Sequence, residues 1–302
     1  VNRTTSRERP NNQVSVFPYP GGKGREADWI LSRMPDHRCY VEVFGGSGAL
    51  LYNKPESTVE VYNDINDDLV QFFRTLRERR EELVEWLRAV PYARTLYEEW
   101  VTDYFEGYRP EDDIERAGRF FALRYMQFAG DISMVNGFKT RAKRSPARTF
   151  DNARERLDEL AERFRQVIIE HQDYADILSR YDDTDTDVVL YCDPPYVGGE
   201  GYYPGEFSHS EFADALLDVE SDWMVSYAEL PEALVARLIG ATREDGREFF
   251  VEYRSRRHRM CRGASEAREH LVCNFDPTST SGFVDREHSQ TKLADIDREP
   301  ES

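Results

Sequence analysis

Lysine is scarce in this chain. Of 302 residues only Lys23, Lys54, Lys139, Lys143 and Lys292 are lysines; arginine supplies the rest of 40 basic residues, against 58 acids and a formal net charge of -18. Such a surface repels a polyanion on average. An acid-rich, lysine-poor composition resembles proteins of a high-salt cytoplasm, where salt screens that repulsion. Net charge is therefore weak evidence against a nucleic-acid partner, and local clusters count for more. Cysteine is sparse as well. Cys39, Cys192, Cys261 and Cys273 show no CxxC spacing, which argues against a zinc site or a disulfide framework and for buried or bystander thiols. Long apolar runs are missing: no stretch approaches a membrane span, and residues 1–13 are polar with no apolar signal region. A cytosolic protein with no membrane partner and no metal is expected.

What is present is an alternation of short apolar strands with helical patterns. The strands are "YVEVF" (40–44), "VEVYN" (59–63), "QVIIE" (166–170), "DVVLYC" (187–192), "WMVSY" (223–227), "EFFVEY" (248–253) and "HLVCNF" (270–275). Helices fit at 208–219, where Ser208 and Glu211 form a capping-box pattern, and at 231–240, which begins with a proline. Strand–helix alternation predicts an α/β fold with a mostly parallel sheet. Residues 67–165 break the rhythm and read as helices at 67–89, 94–106, 112–128 and 150–165. A hundred residues between two strands is too long for a loop, so the pattern predicts a helical insertion at 71–165. The core then comprises 1–70 and 166–276, and the polar stretch 277–302 reads as a frayed tail.

"YVEVFGGSGALL" (40–51) is a strand running into Gly45, Gly46 and Gly48, where glycine lets the backbone turn sharply and approach a ligand. The next strand ends at Asp64, placed to accept hydrogen bonds from ribose hydroxyls. A tight strand–helix turn explains the glycines equally well. The diphosphate pattern GxGxxG lacks its third glycine here, which favours a nucleoside ligand without phosphates over a dinucleotide. Upstream, "FPYPGGKG" (17–24) reads as a turn flanked by Tyr19 and Lys23, or as a plain loop with a solvated lysine.

The strand 187–192 ends abruptly in Asp193, Pro194, Pro195 and Tyr196. Two prolines fix φ, remove two donors and hold the preceding residues extended. A rigid row of acceptors remains, the Asp193 carboxylate and the Pro194 carbonyl, followed by an aromatic face. An exocyclic amino group on a base offers two N–H donors and a poorly nucleophilic lone pair. Two acceptors aimed at those N–H bonds orient it and favour the positive charge that develops as it attacks a methyl group. Tyr196 can stack on the base, and a base in duplex DNA must first be flipped out. The competing reading is a strand-ending proline turn with Asp193 as a cap and Tyr196 in the core.

Taken together, "PYPGGK", "VEVFGGSGAL", "VYNDINDDL", "IIEHQDYADIL", "YCDPPY" and "HLVCNF" resemble, in order across residues 17–275, the Dam-like (D12 class) N6-adenine DNA methyltransferases. The resemblance implies a Rossmann-like, S-adenosylmethionine-dependent core with an inserted helical target-recognition subdomain. It implies S-adenosylmethionine as cofactor and double-stranded DNA as partner. It also brings in a restriction endonuclease as a partner of some members; a monomer is expected. Carried over by position, it places Tyr19 (where the family usually has tryptophan), Lys23, Phe44, Gly45, Gly48, Asp64, Asp173 and Asp193 around the cofactor. Asp193, Pro194 and Tyr196 serve the target base.

Two basic islands contain no acid. "KTRAKRSPAR" (139–148) carries Lys139, Arg141, Lys143, Arg144 and Arg148; "YRSRRHRMCRG" (253–263) carries Arg254, Arg256, Arg257, Arg259 and Arg262. In so acidic a chain both are candidates for phosphate contact, the alternative being solvated loops that balance nearby acids. Asn136, in "FAGDISMVNGFKT" (128–140), either reads a base edge or makes an Asn-Gly turn. Other readings are a cytosine-N4, protein-glutamine or RNA methyltransferase, a binding module without turnover and, more distantly, a dehydrogenase. Cytosine-C5 chemistry needs a cysteine nucleophile, usually after proline, and no Pro-Cys pair occurs.

Overall fold

The computed structural model describes residues 16–128, 135–199, 206–257, 266–280 and 290–293. Eight strands form one sheet: Cys39–Glu42 (β1), Val59–Asn63 (β2), Ile168–Glu170 (β3), Val188–Cys192 (β4), Asp222–Tyr227 (β5), Phe250–Arg257 (β6), Glu266–Cys273 (β7) and Gln290–Lys292 (β8). Their order is β3-β2-β1-β4-β5-β7-β6-β8. The first five run parallel, and β7, β6 and β8 pair antiparallel to their neighbours. The fold is α/β and Rossmann-like. The chain winds outward from β1 through β2 to β3, then returns to place β4 on the other side of β1. That reversal opens a crevice at the carboxyl ends of β1 and β4, where open α/β sheets bind their ligands.

Side chains alternate across the strands and so build two cores. Tyr40, Tyr62, Val189, Tyr191 and Met224 face one side; Val41, Val61, Leu190, Cys192 and Val225 face the other. The first face is covered by Ala27–Leu31 (α1), Ala49–Asn53 (α2), Asp67–Glu78 (α3), Arg80–Ala89 (α4), Arg94–Phe105 (α5), Asp113–Met126 (α6), Pro146–Glu155 (α7) and Leu157–Phe164 (α8). The second is covered by Tyr174–Tyr181 (α9), His209–Leu217 (α10) and Glu232–Asp245 (α11). Short polar residues start many of these helices by accepting orphan amides: Asn66 for α3, Asp112 for α6, Ser145 for α7, Asp173 for α9 and Ser208 for α10.

The helices after β2 share a core with the sheet rather than enclosing one of their own. Phe73 stacks on Phe164 at 4.5 Å and lies 4.6 Å from Tyr62 of β2. The stretch expected as one helix over 67–89 is two, broken at Arg79 (φ -130°, ψ 40°), and that expected at 150–165 begins earlier, at Pro146, and breaks at Arg156. The polar tail also needs correction. Gln290–Lys292 pairs with Phe250, Val251 and Glu252, and Leu293 is buried, so this piece closes the sheet edge through backbone bonds that a polar sequence does not advertise.

Candidate active site

The loop after β1 is shaped by its glycines. Gly46 and Gly48 hold φ of +50° and +62°, a region L side chains rarely adopt. Gly45 is excluded from growing by a neighbour: an added Cβ would lie 2.2 Å from the Tyr62 ring. Tyr62 Oη donates to the Gly46 carbonyl at 2.7 Å, so the ring and loop fix each other. Gly48 caps α2 and faces Phe164, which an added Cβ would approach to 2.8 Å. Its role in this structure is the turn and the packing; it does not line the cavity that Gly45 and Gly46 border.

That cavity, about 260 Å³, lies in the crevice between the ends of β1 and β4. Tyr19, Lys23, Phe44, Gly45, Asp64, Asp173 and Asp193 all line it, so the residues expected around a nucleoside-type cofactor converge, Gly48 excepted. Phe44 stacks on Tyr174 at 5.8 Å, and Phe207 closes edge-on against both, giving an aromatic wall. Asp64 is buried and accepts from the Gly46 amide and the Asn66 amide, each at 2.8 Å. Burial pushes its carboxyl up to about 6, against the pull of those two amides. Asp173 caps α9 through the Ala175 amide at 2.9 Å. Several lining residues were missed from sequence, among them Tyr174, Glu206, Phe207 and two buried polar ones, Glu42 and Ser47. Glu42, the last residue of β1, is buried to 3 % exposure; it accepts from the Leu51 amide at 3.0 Å, and burial raises its carboxyl to about 8. Ser47 is equally buried and its Oγ has no hydrogen-bond partner among the described residues.

The segment after β4 forms the opposite wall. Asp193 Oδ1 accepts from Lys23 Nζ at 2.7 Å and from Ser226 Oγ at 3.1 Å. Ser226 is itself bonded to Tyr191 Oη at 2.7 Å. Burial pushes the Asp193 carboxyl upward, and Lys23 draws it back. Among the described residues Asp193 Oδ2 accepts no hydrogen bond and is the oxygen left for a ligand. Pro194 is buried, and Pro195 lines the cavity. Tyr196, expected to serve the target base rather than the cofactor, does not line this cavity. Its hydroxyl accepts from Lys23 Nζ at 2.5 Å and donates to Glu269 Oε1 at 2.7 Å, and its ring leans on Tyr227 at 5.7 Å.

Residues 19–215, more than half of the chain and including every cavity-lining group just described, match the family D12 class N6 adenine-specific DNA methyltransferase. The chain belongs to that family. It is 29% identical over 185 residues to the DNA adenine methylase of Escherichia coli K12, covering 60% of this chain and 64% of that protein. It is 24% identical over 225 residues to the DNA adenine methylase of Haemophilus influenzae, covering 69% and 76%. Identity is 26% over 200 residues with the DNA N-6-adenine-methyltransferase of Escherichia phage P1, covering 60% and 24%. The match thus spans less than two thirds of the E. coli protein.

In this member of the D12 family the candidate DNA-facing residues stand apart from the cavity. Gln127 and Phe138 form an antiparallel bridge, flanked by bonds from the Phe128 amide to the Gly137 carbonyl and from the Lys139 amide to the Met126 carbonyl. Phe138 wedges between Tyr92 and Tyr97, and the Asn136 carbonyl accepts from Tyr97 Oη. Lys139 is partly buried; burial and then the charges of Arg141 and Arg144 lower its ammonium below the ordinary value. Arg141, Lys143 and Arg144 are exposed. The second island is not simply a loop: Arg254, Arg256 and Arg257 belong to β6, which runs further than its apolar residues suggest. The side chains of Arg256 and Arg257, and all of Arg259, Cys261 and Arg262, lie outside the described residues. No described helix is long and apolar enough to cross a membrane.

Proposed function

We propose that the chain transfers a methyl group from S-adenosylmethionine to the N6 amino group of a flipped-out adenine in double-stranded DNA. The observation that carries this reading is the position of Asp193: at the carboxyl end of β4, on the wall of the cavity, anchored through one oxygen by Lys23 and Ser226 with the other unengaged among the described residues. The residues present suit the cofactor. Asp64, Asp173, Asp193 and Glu206 line the cavity against Lys23, the single base among its described lining residues, an excess of acid that favours a cationic ligand even with Glu42 protonated at neutral pH. Asp64 keeps lone pairs for hydroxyl donors, Ser47 Oγ is a buried polar atom in want of a partner, and the Phe44–Tyr174–Phe207 wall suits a flat aromatic ring. When bound, S-adenosylmethionine supplies an electrophilic methyl group on a sulfonium.

The chain's part is to hold the acceptor. Asp193 Oδ2 and the Pro194 carbonyl would take the two N–H bonds of the amino group, turn its lone pair toward the donor and stabilise the positive charge that grows on nitrogen. The Lys23 charge restrains Asp193 from becoming a strong base, which the reaction does not need, since the nitrogen sheds its proton after attack. The island of Arg141, Lys143 and Arg144 would contact phosphates and set orientation without reading sequence. Methylation of unmethylated DNA by the wild type and by Asp193→Ala, with sequencing of modified bases, tests the reading. Loss of methylation with retained DNA binding is expected; wild-type rates from Asp193→Ala would remove its assigned role, and modified cytosine in place of adenine would change the substrate.

A further inference from the structure

Glu269 sits on the antiparallel strand β7, one residue before the "HLVCNF" stretch and 73 residues beyond Tyr196. It is 6 % exposed. A carboxylate so buried must be well partnered. It accepts from the Tyr196 hydroxyl at 2.7 Å; Lys23 Nζ is more distant at 3.4 Å and already has Asp193 at 2.7 Å. Of these two, Glu269 lies closer to Tyr196 than to the lysine. Burial, with the Asp193 and Glu269 charges, pushes the Tyr196 phenol far upward, so it keeps its proton and must donate it. Two carboxylates lie within its electrostatic reach, and the hydrogen bond goes to Glu269.

We infer that Glu269 is a positioning residue for methyl transfer: it accepts the Tyr196 hydrogen bond, and so fixes the tyrosine and leaves Asp193 Oδ2 to the target amino group. The inference rests on the methyltransferase reading above. Without Glu269 the Tyr196 hydroxyl would turn to the Asp193 carboxylate, whose charge also acts on it, and a bond there would compete for the oxygen that the substrate needs. The ring would then shift as well, since its hydroxyl is tethered on one side by Lys23 and on the other by Glu269.

The test is a double-mutant cycle on the whole chain, with S-adenosylmethionine saturating and unmethylated DNA varied up to saturation. Glu269→Ala should lower kcat by on the order of tenfold, the scale of one hydrogen bond to a charged group, with KM for DNA changed less than about threefold. Glu269→Gln, whose amide oxygen still accepts, should keep kcat within about threefold of wild type. Placed on Tyr196→Phe, Glu269→Ala should cause no further loss, because the hydroxyl it serves is gone. Additive losses, or a Glu269→Gln as slow as Glu269→Ala, overturn the role. If Glu269→Ala does not fold, Glu269→Gln against Tyr196→Phe decides: a Gln variant slower than the Phe variant overturns it. A wild type that transfers no methyl group overturns the enzymatic reading and this role with it, whereas a wild type that methylates while the cycle is additive overturns the role alone.

Discussion

Glu42 offers a measurement of the cavity that needs no DNA. It is the one charged residue of β1, it is 3 % exposed, and burial raises its carboxyl to about 8 from an ordinary 4.5. Between those values the folded chain holds a proton that the unfolded chain has released. Stability therefore falls as pH rises: the contribution is fully present below about pH 4.5 and lost as pH passes about 8. At about 1.4 kcal/mol per pH unit across this window, the loss is roughly 4–5 kcal/mol. Glu42→Gln keeps an oxygen for the Leu51 amide and cannot ionise. The variant should match wild type near pH 4.5 and exceed it above about pH 8 by most of that amount. Urea unfolding at several pH values, at one fixed ionic strength so that the acidic surface contributes equally, reads this as a change in midpoint. Parallel pH profiles for the two proteins would refute the reasoning and show that Glu42 ionises in the fold at little cost.

Gly45→Ala drives a methyl group into the Tyr62 ring, which is buried and bonded to the loop, so a loss of about 1–3 kcal/mol in thermal unfolding is expected; an unchanged midpoint would mean the loop moves freely from the ring. Replacing Arg141, Lys143 and Arg144 by glutamine should weaken DNA binding and reduce the slope of log K against log salt by roughly 2–3. An unchanged slope, measured by titration at several salt concentrations, excludes this island from phosphate contact.

The site was legible where chemistry is local in the chain. The glycine loop, Asp64 and Asp193 each end a strand, and strand ends beside a reversal in sheet order meet in space without further instruction. Glu42 left a signal too, an acid inside the apolar run "YVEVF", and Ser226 left the same kind in "WMVSY". Glu269 left none, because its place depends on the antiparallel register of β7 against β5, which pairs Tyr227 with His270 and is invisible to local periodicity. The same holds for β8, three polar residues that become a strand only because β6 has an open edge. The break at Arg79 falls in a run of charged residues with no glycine or proline to mark it. Tyr196 was read as a stacking surface because an aromatic follows two prolines, while its hydroxyl, the part the fold holds most firmly, finds its partners in residues 23 and 269.

The separation of charge shows how so acidic a chain could suit the proposed polyanionic substrate. Acid lines the cavity, where the proposed cationic cofactor would sit, and the described base-rich surface lies elsewhere, on the segment that follows the Gln127–Phe138 bridge. A net charge of -18 acts at long range and is screened within a Debye length of about 8 Å at physiological salt, less at higher salt. Contacts between Arg141, Lys143 or Arg144 and a phosphate act inside that length and lose less to screening than the long-range repulsion does. Raising salt therefore weakens two opposed terms at once, the repulsion from the whole surface and the attraction of the island. On this reasoning DNA affinity should fall less steeply with salt than the number of basic contacts alone would give, and the three-residue substitution, which removes only the attractive term, is the means of separating them.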